Sequence, residues 1–505
     1  MKTRSLPLLA PLLAQAVSLL TTLHAQPVDI ASRRELFVES ILVDKLTGQA
    51  TLQLNHPTPQ EVVLVADKPW EGNGGNYMTV FRDEDRCRMY YRGVHVIYRQ
   101  GGYTEPHAEY TCYAESTDGI HWTRPNLGLF EVMGSRSNNV ILTSESGGSA
   151  THNFSPFIDT RPGVPKEERY KALGGGGEGL TPFTSSDGIR WRKMNDKPVI
   201  TKGAFDSQNL AYYDAERGEY RAYYRDFREG RDVKTCTSKD FIHWTEPNFI
   251  DYTPGRISEL YTSQINPYHR APHILIGFPT RYFDRGWTEA ARNLPQYDYR
   301  KIRASQSVRE GTALTDGMFM ASRDRQRFTV WPESFIRPGL RNSGNWFYGD
   351  NYQCLGLLET KSSIEGAPEE LSFFVTESTL QGDSMRWRRY TLRIDGFVSL
   401  HAPLAGGELI TKPLVFKGDT LELNYSTGIA GGLRVELQDE AGQPLPGFAL
   451  ADAEELYGDS LAQRALWKNG KSPSAFSGKP VRVRFALKDG DLYSFQFRTT
   501  DSSAK

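Results

Sequence analysis

Cysteine is scarce in this chain: Cys87, Cys112, Cys236 and Cys354 are the only four in 505 residues. They make no CxxC or Cys/His spacing, which excludes the familiar zinc motifs. A chain this long does not depend on disulfides for its core. Cys87 and Cys112 fall on strands expected to be neighbours, so they read either as one disulfide or, more commonly for such residues, as free buried thiols. Charge of one sign is also missing. Sixty Lys and Arg face 61 Asp and Glu, for a net charge of −1, which gives no reason to expect nucleic acid or an anionic membrane as partner. The one long apolar run, Leu6 to Leu20, is interrupted by Pro7 and Pro11, follows Lys2 and Arg4, and leads to Ala25 before Gln26. It reads as a signal peptide over 1–25 rather than a membrane anchor, so the mature chain is expected to be secreted or periplasmic. The Gly174–Gly179 run "GGGGEG" lacks the Lys-Ser/Thr that a phosphate loop needs. Helical periodicity is also hard to find between Gln26 and Leu400.

What the sequence does have is a repeat. "YAESTDGIHW" ends at Trp122, "FTSSDGIRW" at Trp191, "CTSKDFIHW" at Trp244 and "MASRDRQRF" at Phe328. Each copy sits within four short β-rich runs separated by turn residues, and a fifth, divergent unit follows around Asn351–Leu400. Four-stranded units repeated in this way predict a β-propeller, here with five blades over 26–395. Asp118, Asp187, Asp240 and Asp324 are then turn fixers that accept backbone N–H groups, while Trp122, Trp191 and Trp244 pack as core. Beyond Asp395 the alternating pattern "GDTLELNY … GLRVELQ … VRVRFAL" predicts a separate β-sandwich over 396–500, with a frayed tail at 501–505. The fold class expected is all-β: a five-bladed propeller followed by a C-terminal β-sandwich.

Five four-stranded units, S-x-D-x-x-x-W turns and a trailing sandwich resemble the secreted five-bladed propeller glycoside hydrolases. These are the arabinanase, levansucrase and invertase group (families 43, 32 and 68), and the layout is most like family 32. The resemblance implies a carbohydrate substrate, a monomer, three carboxylates around a central funnel, no cofactor, and room for a structural calcium ion, although no ligand loop for one is visible. The family's "NDPNG", "RDP" and "EGP" motifs are absent, and "YYRDF" around Asp226 is a poor match to the second.

The funnel can still be read from the residues just ahead of each blade's innermost strand. They are Glu71, Asn73 and Asn76 in the first, His152 and Asn153 in the second, Asp206, Gln208 and Asn209 in the third, Glu259 and Tyr261 in the fourth, and Asp350 and Asn351 in the fifth. Glycosidic cleavage needs one carboxylic acid to protonate the leaving oxygen and a second carboxylate to attack or to activate water. By the resemblance, Glu71 takes the base or nucleophile position, Asp206 stabilises charge and Glu259 is the acid. The expected substrate-binding set is Asn76, His152, Asn153, Gln208, Asp350, Asn351, Arg281 and Trp70, with no metal ligand. Arg281 and Arg323 could grip a uronate or sulfate, or pair with carboxylates between blades. Trp287, Trp346 and Tyr348 are loop aromatics suited to sugar platforms. The competing reading is a non-catalytic carbohydrate-binding propeller. A sialidase-like enzyme is disfavoured, because no three-arginine set stands in equivalent positions.

Overall fold

The computed structural model describes residues 26–500. The proposed signal peptide and the 501–505 tail lie outside them. The repeat units fold as a propeller-like ring of sheets. Three sheets carry four strands each, with the innermost strands at Thr79–Asp83, Ser155–Ile158 and Leu210–Asp214. A seven-stranded sheet follows, with Asn266–Tyr268 at its inner edge, and then a four-stranded sheet that starts at Leu358–Thr360. Side chains join each sheet to the next. Tyr90 and Tyr113 pack with Phe154 and Phe183, Leu173 and Leu180 with Tyr220 and Tyr224, and Tyr223 with Ile265 and Met318. Phe278 and Phe319 then meet Phe373, and Trp387 and Phe374 return to Met89 and Tyr91 of the first sheet.

The repeated turn is a local hydrogen-bond device. Asp118 Oδ1 accepts the Ile120 and His121 amides, both at 2.8 Å, and Ser116 Oγ accepts the Gly119 amide at 2.9 Å. Asp187 holds Ile189 and Arg190, Asp240 holds Ile242 and His243, and Asp324 holds Gln326 and Arg327 in the same way. The tryptophan that follows wedges between sheets: Trp191 lies edge-on to Phe154 at 4.9 Å, and Trp122 to Phe374 at 5.8 Å.

The structure differs from the sequence expectation in four places. The last ring sheet takes its outer strand from Thr58–Val65, which pairs with Arg386–Arg393. The expected fourth strand, around Val398, pairs instead with Thr51–Leu54 and with Pro480–Arg498. Recruiting a strand from the start of the chain covers an edge that would otherwise be open. Secondly, Val28–Ala31, Arg34–Leu36, Val43–Gly48 and Thr51–Leu54 belong to the ten-stranded C-terminal sheet. That sheet is dominated by two 19-residue strands, Thr420–Gln438 and Pro480–Arg498. Arg323, just after the ring strand Ala313–Ser322, pairs with Glu35 at 2.6 Å and Glu39 at 2.5 Å of the N-terminal segment. Thirdly, the outer strand of the first sheet is Val140–Leu142, and the segment after Trp122 adds only a single bridge, Thr123 to Glu115. Fourthly, a helical insertion interrupts the seven-stranded sheet between Thr280–Asp284 and Ala313–Ser322, with its longest helix at Tyr297–Gln306. All four cysteines are free and buried. Cys87 lies opposite Ser116 and Cys112 opposite Tyr91, so the two do not face each other.

Candidate functional site

At the end of the ring where the inner strands begin, every sheet contributes one residue to a common mouth. These are Tyr77, His152, Asp206, Tyr261 and Tyr352, each placed two to six residues ahead of its inner strand. Tyr77, Tyr261, Tyr282, Tyr348 and Tyr352 form one aromatic cluster. Tyr261 lies 5.6 Å from Tyr352 and 5.7 Å from Tyr348, and Tyr77 lies 5.6 Å from the His152 ring. Arginines stand on these faces. Arg92 is 5.4 Å from Tyr77, Arg225 4.7 Å from Tyr261, Arg231 4.1 Å from Tyr282 and Arg309 5.2 Å from Tyr348.

The charged heart of the mouth is a chain of side chains running from Glu109 through His152 to Asp206. His152 Nε2 lies 3.0 Å from Asp206 Oδ1, and Nδ1 lies 3.0 Å from Glu109 Oε1. Arg92 Nη1 also approaches Nδ1, at 2.9 Å. Burial and the Arg92 guanidinium work against a charged imidazole. The hydrogen bonds to Asp206 and Glu109 outweigh them, and the His152 pKa ends above its ordinary value. Burial likewise works against the Asp206 carboxylate, but the His152 hydrogen bond and the charges of His152, Arg225 and Arg92 win and hold it below the usual carboxylate range. The Asp206 side chain nevertheless remains 67% exposed. Its Oδ2 points to the Tyr261 hydroxyl at 3.5 Å and to Arg225 at 3.7 Å.

Glu259 lies two residues before Tyr261 and is held by Arg231, whose guanidinium is 5.4 Å from the Tyr261 ring. Its Oε2 accepts the Arg231 amide at 3.0 Å and Arg231 Nη1 at 2.8 Å, and the side chain is 35% exposed. The neighbour of the expected acid is therefore an arginine rather than a second carboxylate.

The other sequence candidates stand elsewhere. Glu71 has no exposed surface. It accepts hydrogen bonds from Arg124 Nε at 2.7 Å, Arg124 Nη2 at 3.0 Å, the Lys68 amide at 3.0 Å and the Tyr91 hydroxyl. Burial pushes its carboxyl up while Arg124 and Tyr91 pull it down. All of its lone pairs face protein, so the base or nucleophile position assigned to it is not at the mouth. Asp350 is sealed in the same way, under the Phe347 and Thr379 amides and the Gln381 side chain, and burial pushes it up to about 7. Asn351, with φ 64°, donates to the Thr315 and Asn345 carbonyls. Asn153 donates to the carbonyls of Gly175 and Phe205. Trp70 donates to Asn139 and packs in the core beside the first sheet. Arg281 is taken by Asp316 at 2.8 Å.

Gln208 sits beside the tyrosines in a floor of amides rather than in the mouth. It donates to Thr79 at 2.9 Å and accepts from Gln264 at 2.7 Å, which also donates to the Gln353 carbonyl. Asn76 is buried with its Oδ1 unpartnered. Of the predicted residues, the structure brings together His152, Asp206 and Glu259. Tyr261 and Tyr348, also expected from the sequence, join the aromatic cluster, whereas sequence reasoning missed Glu109, Arg92, Arg225, Arg231, Tyr77, Tyr282 and Tyr352. Their one signal is position, since Glu109 immediately precedes the strand Tyr110–Ser116.

Beyond the amide floor, at the C-terminal ends of the inner strands, a cavity of 760 Å³ opens between Phe81, Tyr268, Phe278 and Glu359. Of its acidic groups, Asp118 holds its turn and Glu359 pairs with His269 at 2.6 Å, and Glu369 also lines it. Among the described residues no group of three or more His, Cys, Asp or Glu side chains is placed to hold a metal ion. No helix there is long and apolar enough to cross a membrane.

No family model and no curated protein matches the sequence. Solved structures do resemble it in fold. The catalytic domain of a Coprinopsis cinerea GH62 α-L-arabinofuranosidase is 7% identical over 68% of this chain and 99% of that one, with a TM-score of 0.40. An α-L-arabinofuranosidase from Clostridium thermocellum is 10% identical over 66% and 93%, with a TM-score of 0.38. A sucrose-6-phosphate hydrolase from Lactobacillus gasseri is 10% identical over 89% and 88%, with a TM-score of 0.38. These are likenesses of overall shape, and the functional reading that follows rests on the mouth itself.

Proposed function

We propose that the tyrosine-lined mouth binds a carbohydrate and that the chain is a glycoside hydrolase with Asp206 as its ionised catalytic carboxylate. One observation carries this reading. Asp206 is an open carboxylate held in its charged form by His152 and Arg225, above a cluster of buried tyrosines whose rings carry arginines. An ionised carboxylate can attack the anomeric carbon or take a proton from a water that does. Glu109, on the far nitrogen of His152, fixes that ring. Glu259 is the other open carboxylate around Tyr261, and we assign it the protonation of the leaving oxygen. It can carry that proton once Arg231 turns away from its Oε2 and toward the substrate. The arginine clamp on Glu259 in the free chain is also what favours the second reading, a sugar-binding propeller that performs no cleavage.

The test is a screen of plant and algal oligosaccharides for release of reducing ends, followed by Asp206→Asn. A fall of about 1,000-fold or more in turnover with binding retained is expected for loss of a catalytic carboxylate. Turnover by Asp206→Asn at the parent rate overturns the assignment, and binding without cleavage across the panel selects the second reading. Export belongs to the same proposal. The exported chain should begin near Gln26, which N-terminal sequencing reads directly.

A further inference from the structure

Two of the arginines at the mouth have more hydrogen-bond donors than acceptors to meet them. Arg225 lies two residues before the end of the strand Glu219–Phe227, and Arg231 opens the next, Arg231–Ser238. Both guanidinium groups stand over Tyr261, at 4.7 and 5.4 Å. A guanidinium carries five N–H donors. Among the described residues the Arg225 side chain hydrogen-bonds through Nε to the Ala204 carbonyl, at 3.1 Å, and its Nη2 falls short of Asp206 at 3.7 Å. Arg231 gives Nη1 to Glu259, and its Nε is buried without a partner. Arg309, which reaches Tyr348 from the helical insertion, repeats the pattern. Nη2 meets Glu310 at 3.1 Å while Nη1 is buried and unpartnered. Burying donors with nothing to receive them is unfavourable, and such sites are commonly completed by a ligand.

We propose that these donors seat an anionic group on the sugar: the carboxylate of a uronic acid or an ester sulfate. The inference rests on the carbohydrate reading of the mouth and deepens it. A neutral hydroxyl, with one proton of its own to donate, meets few of these N–H groups. Two or three oxygens sharing a negative charge match the guanidinium fork. Phe227, 55% exposed and 5.5 Å from the Arg225 guanidinium, offers an apolar face at the rim for the ring that bears the anion. Drawing Arg231 toward the anion also loosens its hold on Glu259, so the same charge that seats the substrate releases the proposed acid.

Matched pairs of ligands test this: an oligogalacturonate against its carboxyl-reduced form, and a sulfated galactan oligosaccharide against its desulfated form. Calorimetric titration of the parent and of Asp206→Asn should show the charged member of one pair bound about tenfold or more tighter than its neutral twin. The pair that shows the gap tells carboxylate from sulfate. Arg231→Gln and, separately, Arg309→Gln should each remove most of the gap. Arg309, at the exposed edge of the mouth, keeps the test open if the Arg231 variant fails to fold. Equal binding of both twins in both pairs, no binding of either charged ligand, or a gap that survives both substitutions overturns the proposal. If neutral sugars are cleaved in an Asp206-dependent way, the anion seat is wrong and the hydrolase reading stands. An Arg-dependent gap without any cleavage leaves the seat standing and removes the hydrolase.

Discussion

Replacing Glu71 by glutamine separates a sealed structural carboxylate from a catalytic one. Four hydrogen bonds converge on Glu71, two of them from the Arg124 guanidinium. Glutamine keeps one acceptor oxygen and turns an NH2 toward donors. Breaking one partner of a buried ion pair costs about 3–5 kcal/mol. Here Arg124 retains Asp67 at 3.4 Å and the Val65 carbonyl, and its side chain is 17% exposed. The expected loss is therefore about 2–4 kcal/mol. With a denaturant slope of several kcal/mol/M for a chain of this size, the urea midpoint should fall by roughly 0.5–1 M. Turnover per folded molecule should not change. Removing both partners, as Glu71→Met with Arg124→Met, should recover much of the loss, because the cost lies in the stranded charge. The measurements are urea unfolding followed by tryptophan fluorescence, and activity at a urea concentration where both proteins are folded. A Glu71→Gln protein with the parent midpoint and no activity would refute the reasoning and return Glu71 to the catalytic list.

Asp187→Ala should lower stability by about 1–3 kcal/mol, because the Ile189 and Arg190 amides lose their acceptor. Asp187→Asn, which keeps that oxygen, should cost less than half as much; equal thermal shifts for the two variants would contradict the turn geometry. Asp350 gives a pH signature. Its carboxyl rises from an unfolded value near 4 to about 7 in the fold. The stability it contributes is therefore complete below about pH 4 and is lost as pH climbs through 7, a change on the order of 4 kcal/mol. The buried, unpartnered Gln381 Oε1 is available to receive the acid proton if that amide turns over. Asp350→Asn should flatten the stability profile between pH 5 and pH 8, and an unchanged profile in urea unfolding would show that another group titrates.

The features legible in the sequence were those made by neighbours along the chain. Ser116 and Asp118 bond amides two and three residues away, so the turn could be read from ten letters and its repetition implied a ring. The ring's closure was not legible, because Thr58–Val65 meets Arg386–Arg393 more than 300 residues later. Nothing in an alternating strand names its partner. The helix Tyr297–Gln306 escaped for a different reason. Its buried residues are Arg300 and Arg303, which donate to carbonyls of Pro295, Gly311, Trp346 and Tyr348, so the face that should look apolar is written in arginine and the helical period does not show.

The site shows how position and partner together decide what a carboxylate does. Glu71 and Asp350 each lie eight residues ahead of the inner strand of their sheet, and at that distance the chain folds under the mouth and buries them. Asp206 lies four residues ahead of Leu210 and His152 three ahead of Ser155, and both reach the opening. Glu259, seven residues ahead of Asn266, falls between these cases and is part exposed. Depth along the chain thus sorts four acidic residues that are equivalent by composition. The partner then sets the charge: burial alone pushes Asp350 up, whereas His152 and Arg225 keep Asp206 ionised against the same force. A sequence reading that weighed acidic residues by proximity to a strand could list all four. The partners that each one meets separate a structural carboxylate from one free to do chemistry: amides and Gln381 seal Asp350, and Arg124 seals Glu71 from 53 residues away.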